Sequence, residues 1–510
     1  MPEFQPVHRY ALYGAANFAF ALVLAVGYAL NSAAAPHFLY LFLIFGLCSS
    51  VILVIDQLNG RYALLALFAV DYFVCYGAID VIQLFSGTIA LPIESDGELL
   101  SKTEAVILVG GFVLVCAYRL VVFAADMKRS SRVPKDWSAL TILVVGPVAW
   151  AIGTYATYDW YVHIVTDTTN EAVLKGLKSV GTLVASAYIL MQMLQPIGVL
   201  LIAYAWRSFA RRSMLPVVVA MVILQVALGF VTDMKGTAMI GGVLVIMTCV
   251  LVDGRLPKSW LAGFVIFVML VFPVFQAYRI AIHGDRGVAR TAVIANFGKV
   301  LELTLSQTEK LNTGNHRAQT FLERSSVKGS AQMIVEGTGI KADFQHGHTL
   351  TPILAAFVPR IFWPDKPDIP TGQLLNKEFH VSEGTDVYLS PSHLGELYWN
   401  FGWPGVVGGM ALIGALLGWV GAFFNLSQHR TVTRILVTVV TIKQLIVGFE
   451  GVIAPLYVVW LRSLAGIGVL HLIFARVPAV SGMFAPQRAA SPPRSGPSSP
   501  REPLYPNLLT

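Results

Sequence analysis

The chain has 510 residues, 55% of them hydrophobic and 13% charged, with a mean hydropathy of +0.66. A soluble domain carries about 25% charged residues, so a water-soluble fold is excluded and an all-α polytopic membrane protein is expected. The net charge of +7 is no footprint of nucleic acid, because membrane proteins collect Lys and Arg in their cytoplasmic loops.

In chain order, hydropathy predicts about twelve transmembrane helices, near 10–30, 37–56, 62–85, 104–126, 138–158, 180–206, 215–232, 237–252, 259–280, 398–424, 432–450 and 455–474. The first run lacks a charged n-region and cleavage site, so it reads as a retained helix. Pro196 is expected to kink the sixth span. Cys48, Cys75, Cys116 and Cys249 all fall in apolar runs, which points to neither a disulfide framework nor a zinc site.

Short loops set the orientation. Arg61 follows the second span, and Lys128, Arg129, Arg132 and Lys135 follow the fourth. Arg207, Arg211 and Arg212 follow the sixth, Arg255 and Lys258 the eighth, and Arg430 and Arg434 surround the turn after the tenth. The loop 86–103 instead holds Glu94, Asp96 and Glu98 against Lys102. Both termini are therefore expected in the cytoplasm. Residues 1–280 carry nine spans, 281–397 one large loop on the outer face with short helices, and 398–475 three more spans. The Pro-, Ser- and Arg-rich tail 476–510 is expected to be disordered.

Inside the large loop, Val293 to Leu311 and Ala318 to Val335 have helical spacing. Thr351-Pro352 reads as an N-cap with proline at the first helical position, opening a short apolar helix to Val358 that lies in the interface or re-enters the membrane.

Four groups of residues can carry chemistry. Arg279, His283, Arg286 and Arg290 share one face if the ninth helix continues, and such a guanidinium stripe suits a diphosphate; an ordinary juxtamembrane basic cluster has the same composition. The run Pro359-Arg360-Ile-Phe-Trp363-Pro364-Asp365-Lys366-Pro367 either anchors the chain at the interface or aims Arg360 and Lys366 at an anion, with Trp363 facing a sugar. His393, Glu396 and Asn400 fall on one face of the tenth helix, beside Tyr398 and Trp399. Glu396 or His393 can serve there as general base toward a sugar hydroxyl; capping by Ser390 or Ser392 is the plainer alternative. Charges within spans form the fourth group: Asp71, Arg119, Lys443 and Arg462, with Asp71 able to pair Lys443 or Arg462. Asp233 and Lys235 sit in a tight turn on the loop side and can join the site. No nucleotide-binding glycine loop, HExxH, GxSxG or Cys/His metal spacing occurs.

The run P-R-I-F-W-P-D-K-P, followed by S-H-L-G-E-L-Y-W-N-F-G-W-P-G and an apolar helix, resembles the oligosaccharide repeat-unit (O-antigen, Wzy-type) polymerases of bacterial inner membranes. The match covers about 60 residues. It implies a glycosyltransferase that polymerises undecaprenyl-diphosphate-linked oligosaccharides at the periplasmic face into O-antigen or exopolysaccharide, with no metal or nucleotide cofactor. It also implies the flippase and chain-length regulator of the same pathway as partners. On that resemblance Arg360, Arg279, Arg286 and Arg290 stabilise the leaving diphosphate. The arginine-x10-glycine pair of some members is not found from Arg279, Arg286, Arg290 or Arg360. An O-antigen ligase shares the topology and donor. A flippase of the lipid-linked unit and a non-enzymatic scaffold are the readings of other classes.

Overall fold

The computed structural model describes residues 6–30, 35–55, 60–86, 100–126, 136–164, 182–209, 214–232, 235–283, 302, 327–355, 358, 363, 371–381, 389–426 and 430–475. Among them there are helices and no strands, only an isolated bridge between Thr338 and Ala342. In order these are α1 (Pro6–Leu30), α2 (Ala35–Ser49), α3 (Ala63–Phe73), α4 (Ile79–Ser86), α5 (Lys102–Asp126), α6 (Ala139–Asp159), α7 (Thr182–Ser208) and α8 (Leu215–Thr232). Then follow α9 (Lys235–Asp253), α10 (Lys258–His283), α11 (Lys328–Gly337), α12 (Thr351–Ala355), α13 (Thr371–Phe379), α14 (Ser392–Phe423), α15 (Val432–Thr441) and α16 (Ile453–Phe474).

Ten helical segments are long and apolar enough to cross a membrane, and two shorter apolar helices, Phe38–Leu53 and Lys258–Val271, occupy the second and ninth expected positions. The chain is thus an all-helical, multi-pass membrane protein. The second expected span continues from α2 into a 3-10 turn, Ser50–Leu53, and α10 as a whole runs 26 residues, Lys258–His283. Pro196 is carried inside a continuous α7.

Helix starts follow local chemistry. Ser101 and Glu104 form a reciprocal capping box at the head of α5: Glu104 Oε2 accepts the Ser101 N–H and Ser101 Oγ accepts the Glu104 N–H, each at 3.1 Å. Ser138 caps α6 through the Thr141 N–H at 3.0 Å. Single turns of π-helix, Val74–Ala78 between α3 and α4 and Ile442–Ile446 after α15, interrupt two spans. Such turns concentrate at functional sites. The Tyr76 carbonyl in the first of them accepts the Tyr40 hydroxyl at 2.6 Å.

The centre of the bundle is α5 against α14. The two run parallel, since Leu114 backs Gly414 and Tyr118 backs Gly418. Small residues at this spacing let membrane helices approach closely. A Cβ on Gly414 falls 2.4 Å from the Leu114 carbonyl oxygen, a backbone atom that cannot swing away. Gly414→Val is expected to cost about 1–3 kcal/mol or more, read as a lower unfolding midpoint in detergent. Gly408, with nothing within 4 Å of its Cβ position, is the neutral control as Gly408→Ala.

Contacts fix which loops share an end. The heads of α5, α14 and α16 lie together with α11. At the other end the Tyr118 hydroxyl donates to the Arg61 carbonyl at 2.5 Å, Tyr204 to the Arg430 carbonyl at 3.2 Å, and Arg434 to the Asn425 carbonyl at 3.0 Å. Arg207 pairs there with Asp253. The described arginines Arg61, Arg207, Arg430 and Arg434 are therefore gathered at one end, opposite the head of α14. Asp136, at that same end, accepts the Val432 N–H that opens α15, at 3.0 Å; burial raises its carboxyl above the usual range.

The α14 helix is broken. Gly402 has φ 64° and ψ −144°, a conformation essentially reserved to glycine. Residues 404–423 rise about 30 Å at 1.5 Å per residue, enough to cross the hydrocarbon core unaided. Residues 392–401 form a separate half-helix on top of that span.

Candidate functional site

The half-helix 392–401 carries the polar face expected from its spacing. His393, Glu396 and Asn400 are all fully buried, and Tyr398 is 4% exposed. The segment 345–350 runs across the break and covers Glu396 and Asn400, while His393 lies against Phe449 and Tyr457. A helix leaves its last carbonyls without intrahelical partners. Here the Gln345 N–H donates to the Trp399 carbonyl and the His346 N–H to the Asn400 carbonyl, both at 3.0 Å. His346 (φ 47°) and Gly347 (φ 86°) take left-handed conformations to make this turn.

Side chains close the clasp. Thr349 Oγ1 donates to Glu396 Oε1 at 2.7 Å and accepts Asn400 Nδ2 at 2.8 Å. Asn400 Nδ2 also donates to the Glu396 carbonyl at 2.8 Å, and its Oδ1 accepts the Gly347 N–H at 2.9 Å. The second carboxylate oxygen of Glu396 accepts the Ile453 N–H at 2.7 Å, at the head of α16. Both oxygens are therefore engaged, and Glu396 ties three chain segments together.

His393 differs. Its Nδ1 lies 2.7 Å from the Phe449 carbonyl. A carbonyl only accepts, so Nδ1 carries the proton and Nε2 presents a lone pair. That Nε2 is buried and has no hydrogen-bond partner among the described residues. The ring stacks on Phe449 at 4.9 Å. Of the two candidate bases, His393 alone has an acceptor atom with no partner among the described residues.

Other candidates are placed as follows. Tyr398 lies under the Lys102 ammonium, which stands 5.2 Å from the ring centroid and donates to the Val335 carbonyl at 3.0 Å. Trp399 packs on Phe379 of α13. Trp363 is 40% exposed. Arg286, Arg290, Arg360, Lys366 and Asp233 lie outside the described residues, and Arg279 and Lys235 are described only as backbone positions in α10 and α9.

Searches with family models, curated proteins and solved structures give no match.

Several expectations need correction. Thr351 is not an N-cap: it follows a 3-10 turn, His348–Leu350, and its hydroxyl donates back to the His348 carbonyl at 2.7 Å. The helix it opens is described only to Ala355. Of the two expected caps, Ser390 donates to the Glu450 carbonyl instead, whereas Ser392 Oγ does make the capping bond, accepting the Gly395 N–H at 3.2 Å, and also accepts the Tyr76 hydroxyl at 3.0 Å. Asp71 makes no ion pair with Lys443 or Arg462 among the described residues; the Cys75 thiol lies 3.9 Å from its carboxyl. Of the loop's two helical patterns, Val293 to Leu311 lies outside the described residues, apart from position 302, and the second appears as α11.

Residues that sequence reasoning passed over complete the same end. Lys328 of α11 reaches Asp80 at 2.5 Å and Glu104 at 3.1 Å, and stands 4.1 Å over the Tyr40 ring. Thr103 Oγ1 donates to Glu336 at 3.1 Å. Only the Ser-x-x-Glu spacing of the α5 cap was visible in the sequence.

Proposed function

We propose that the chain is a membrane glycosyltransferase that polymerises undecaprenyl-diphosphate-linked oligosaccharides at the periplasmic face of a bacterial inner membrane. The observation that carries this reading is the clasp of Thr349 on Glu396 and Asn400. It joins the threonine stretch that leads into the P-R-I-F-W-P-D-K-P run to the S-H-L-G-E-L-Y-W-N run. The stretch that precedes the first piece of the resemblance is thus tied to the second piece in one polar cluster. The arginines gathered at the opposite end support a cytoplasmic assignment for that end.

In this reading an acceptor sugar hydroxyl gives its proton to His393 Nε2 while its oxygen attacks the donor's anomeric carbon. The bond from that carbon to the diphosphate oxygen breaks, and the lipid diphosphate leaves with the electron pair. Arg360, Arg279, Arg286 and Arg290 stabilise its charge. Glu396 and Asn400 hold the half-helix in place.

The break at Gly402 favours one other reading, a transporter of the lipid-linked unit, since broken helices mark transporter sites near the midplane. Residues 404–423 span without help from the first half, which argues for the enzyme.

Deletion and complementation test the proposal. The deletion strain is expected to accumulate single repeat units on the lipid carrier. Complementation with Arg360→Ala is expected to restore the protein in the membrane but no polymer, on the order of a hundredfold loss or more. Wild-type chain length from Arg360→Ala removes the role given to that arginine. Full-length polymer stranded on the lipid in the deletion strain identifies a ligase.

A further inference from the structure

We propose that His393 and Tyr457 together bind a single hydroxyl group in a buried two-point site between α14 and α16. Both side chains are enclosed, His393 fully and Tyr457 to 8% exposure. Their rings lie 5.7 Å apart, centroid to centroid. Each holds a polar atom with no partner among the described residues: Nε2 of His393 and the hydroxyl of Tyr457. Two such atoms on neighbouring rings, contributed by different helices, are uncommon, because a buried polar group without a partner is costly.

The chemistry of the pair selects the guest. The Phe449 carbonyl fixes the His393 proton on Nδ1, so Nε2 can only accept. The Tyr457 hydroxyl can donate. A group that donates one hydrogen bond and accepts another between them is an alcohol or water. A carbonyl has no proton for Nε2, and an ammonium, though it could donate to both atoms, carries a charge that such an enclosure disfavours. The surrounding faces are aromatic, with Phe449 stacked on His393 and Trp460 beside Tyr457, which excludes charged guests. The hydroxyl comes either from water or from a carbohydrate, and the carbohydrate source rests on the function proposed above.

Tyr457→Phe removes the hydroxyl and keeps the ring, so packing is preserved. The full chain is purified in detergent and its unfolding midpoint measured without glycolipid; affinity for undecaprenyl-diphosphate-linked repeat unit is then measured on the same protein. With water as guest, Tyr457→Phe lowers the midpoint of the free protein. In a His393→Asn background, which keeps a donor for the Phe449 carbonyl and deletes Nε2, the same change then lowers it no further. With a carbohydrate hydroxyl as guest, the free midpoint is unchanged or higher, and glycolipid affinity falls on the order of three- to tenfold. A Tyr457→Phe protein with an undiminished midpoint and wild-type glycolipid affinity overturns the site. Should wild type itself fail to bind the glycolipid, the glycan reading fails alone, and the free midpoint decides between a water-holding site and none.

Discussion

Alanine at Glu396 is expected to destabilise the protein by on the order of 3 kcal/mol or more. The carboxylate receives the Thr349 hydroxyl and the Ile453 N–H, each at 2.7 Å, in a fully buried position. Hydrogen bonds to a carboxylate contribute about 1.5–3 kcal/mol each, and the abandoned donors stay buried. The Ile453 N–H is one of the unsatisfied groups at the head of α16, so its loss frays that helix start as well. An SDS or thermal titration of the purified variant checks the size. Glu396→Gln separates the structural role from a chemical one. Its carbonyl can receive the Ile453 N–H and its amide can donate to Thr349 Oγ1, so most of the stability is expected to return. If His393 is the base, Glu396→Gln also keeps making polymer. A well-folded Glu396→Gln that makes none would transfer the base role to Glu396.

The membrane architecture was legible because every span is a run of apolar residues, and hydropathy needs no knowledge of neighbours. The polar face of α14 was legible for a similar reason: intervals of three and four between His393, Glu396 and Asn400 are enough to place them together. What they do was not. Glu396 looked like a free acid until Thr349 and Ile453 were seen around it, and those contacts cross 47 and 57 residues of chain. The break at Gly402 left a faint trace, a proline two residues later that is well placed to start the second half. Within a long apolar run that trace reads equally well as a tolerated proline. Asp71 was expected to seek a cation because charge burial demands compensation, yet it adjoins Cys75 and the sequence offered no sign of that. The choice of arginines rests on the resemblance and on local spacing, with Arg286, Arg290 and Arg360 outside the described residues.

Methionine at Lys328 is expected to have the second large effect, because this lysine fastens α11 to the bundle. Its ammonium lies between Asp80 at 2.5 Å and Glu104 at 3.1 Å, with side-chain exposures of 12% for the lysine and 16% and 4% for the two acids. Breaking a buried ion pair by removing one partner costs about 3–5 kcal/mol, since the remaining charge is left uncompensated. Methionine preserves the aliphatic stem against Tyr40, so the loss reports on charge more than on packing. Adding Asp80→Asn to Lys328→Met is expected to recover part of the stability by removing one of the stranded carboxylates, a coupling that a double-mutant cycle measures directly. Glu104 is the poorer choice for that rescue, because it also closes the capping box with Ser101. The effect should reach activity too. Ile334 of α11 packs with Trp399 in one buried cluster, so an unfastened α11 loosens the half-helix that presents His393. If the chain is the polymerase proposed above, Lys328→Met is expected to shorten or abolish polymer even where the protein still inserts, and Asp80→Asn to restore chain length in step with stability. Chain length recovering without stability would mean that Lys328 touches substrate instead.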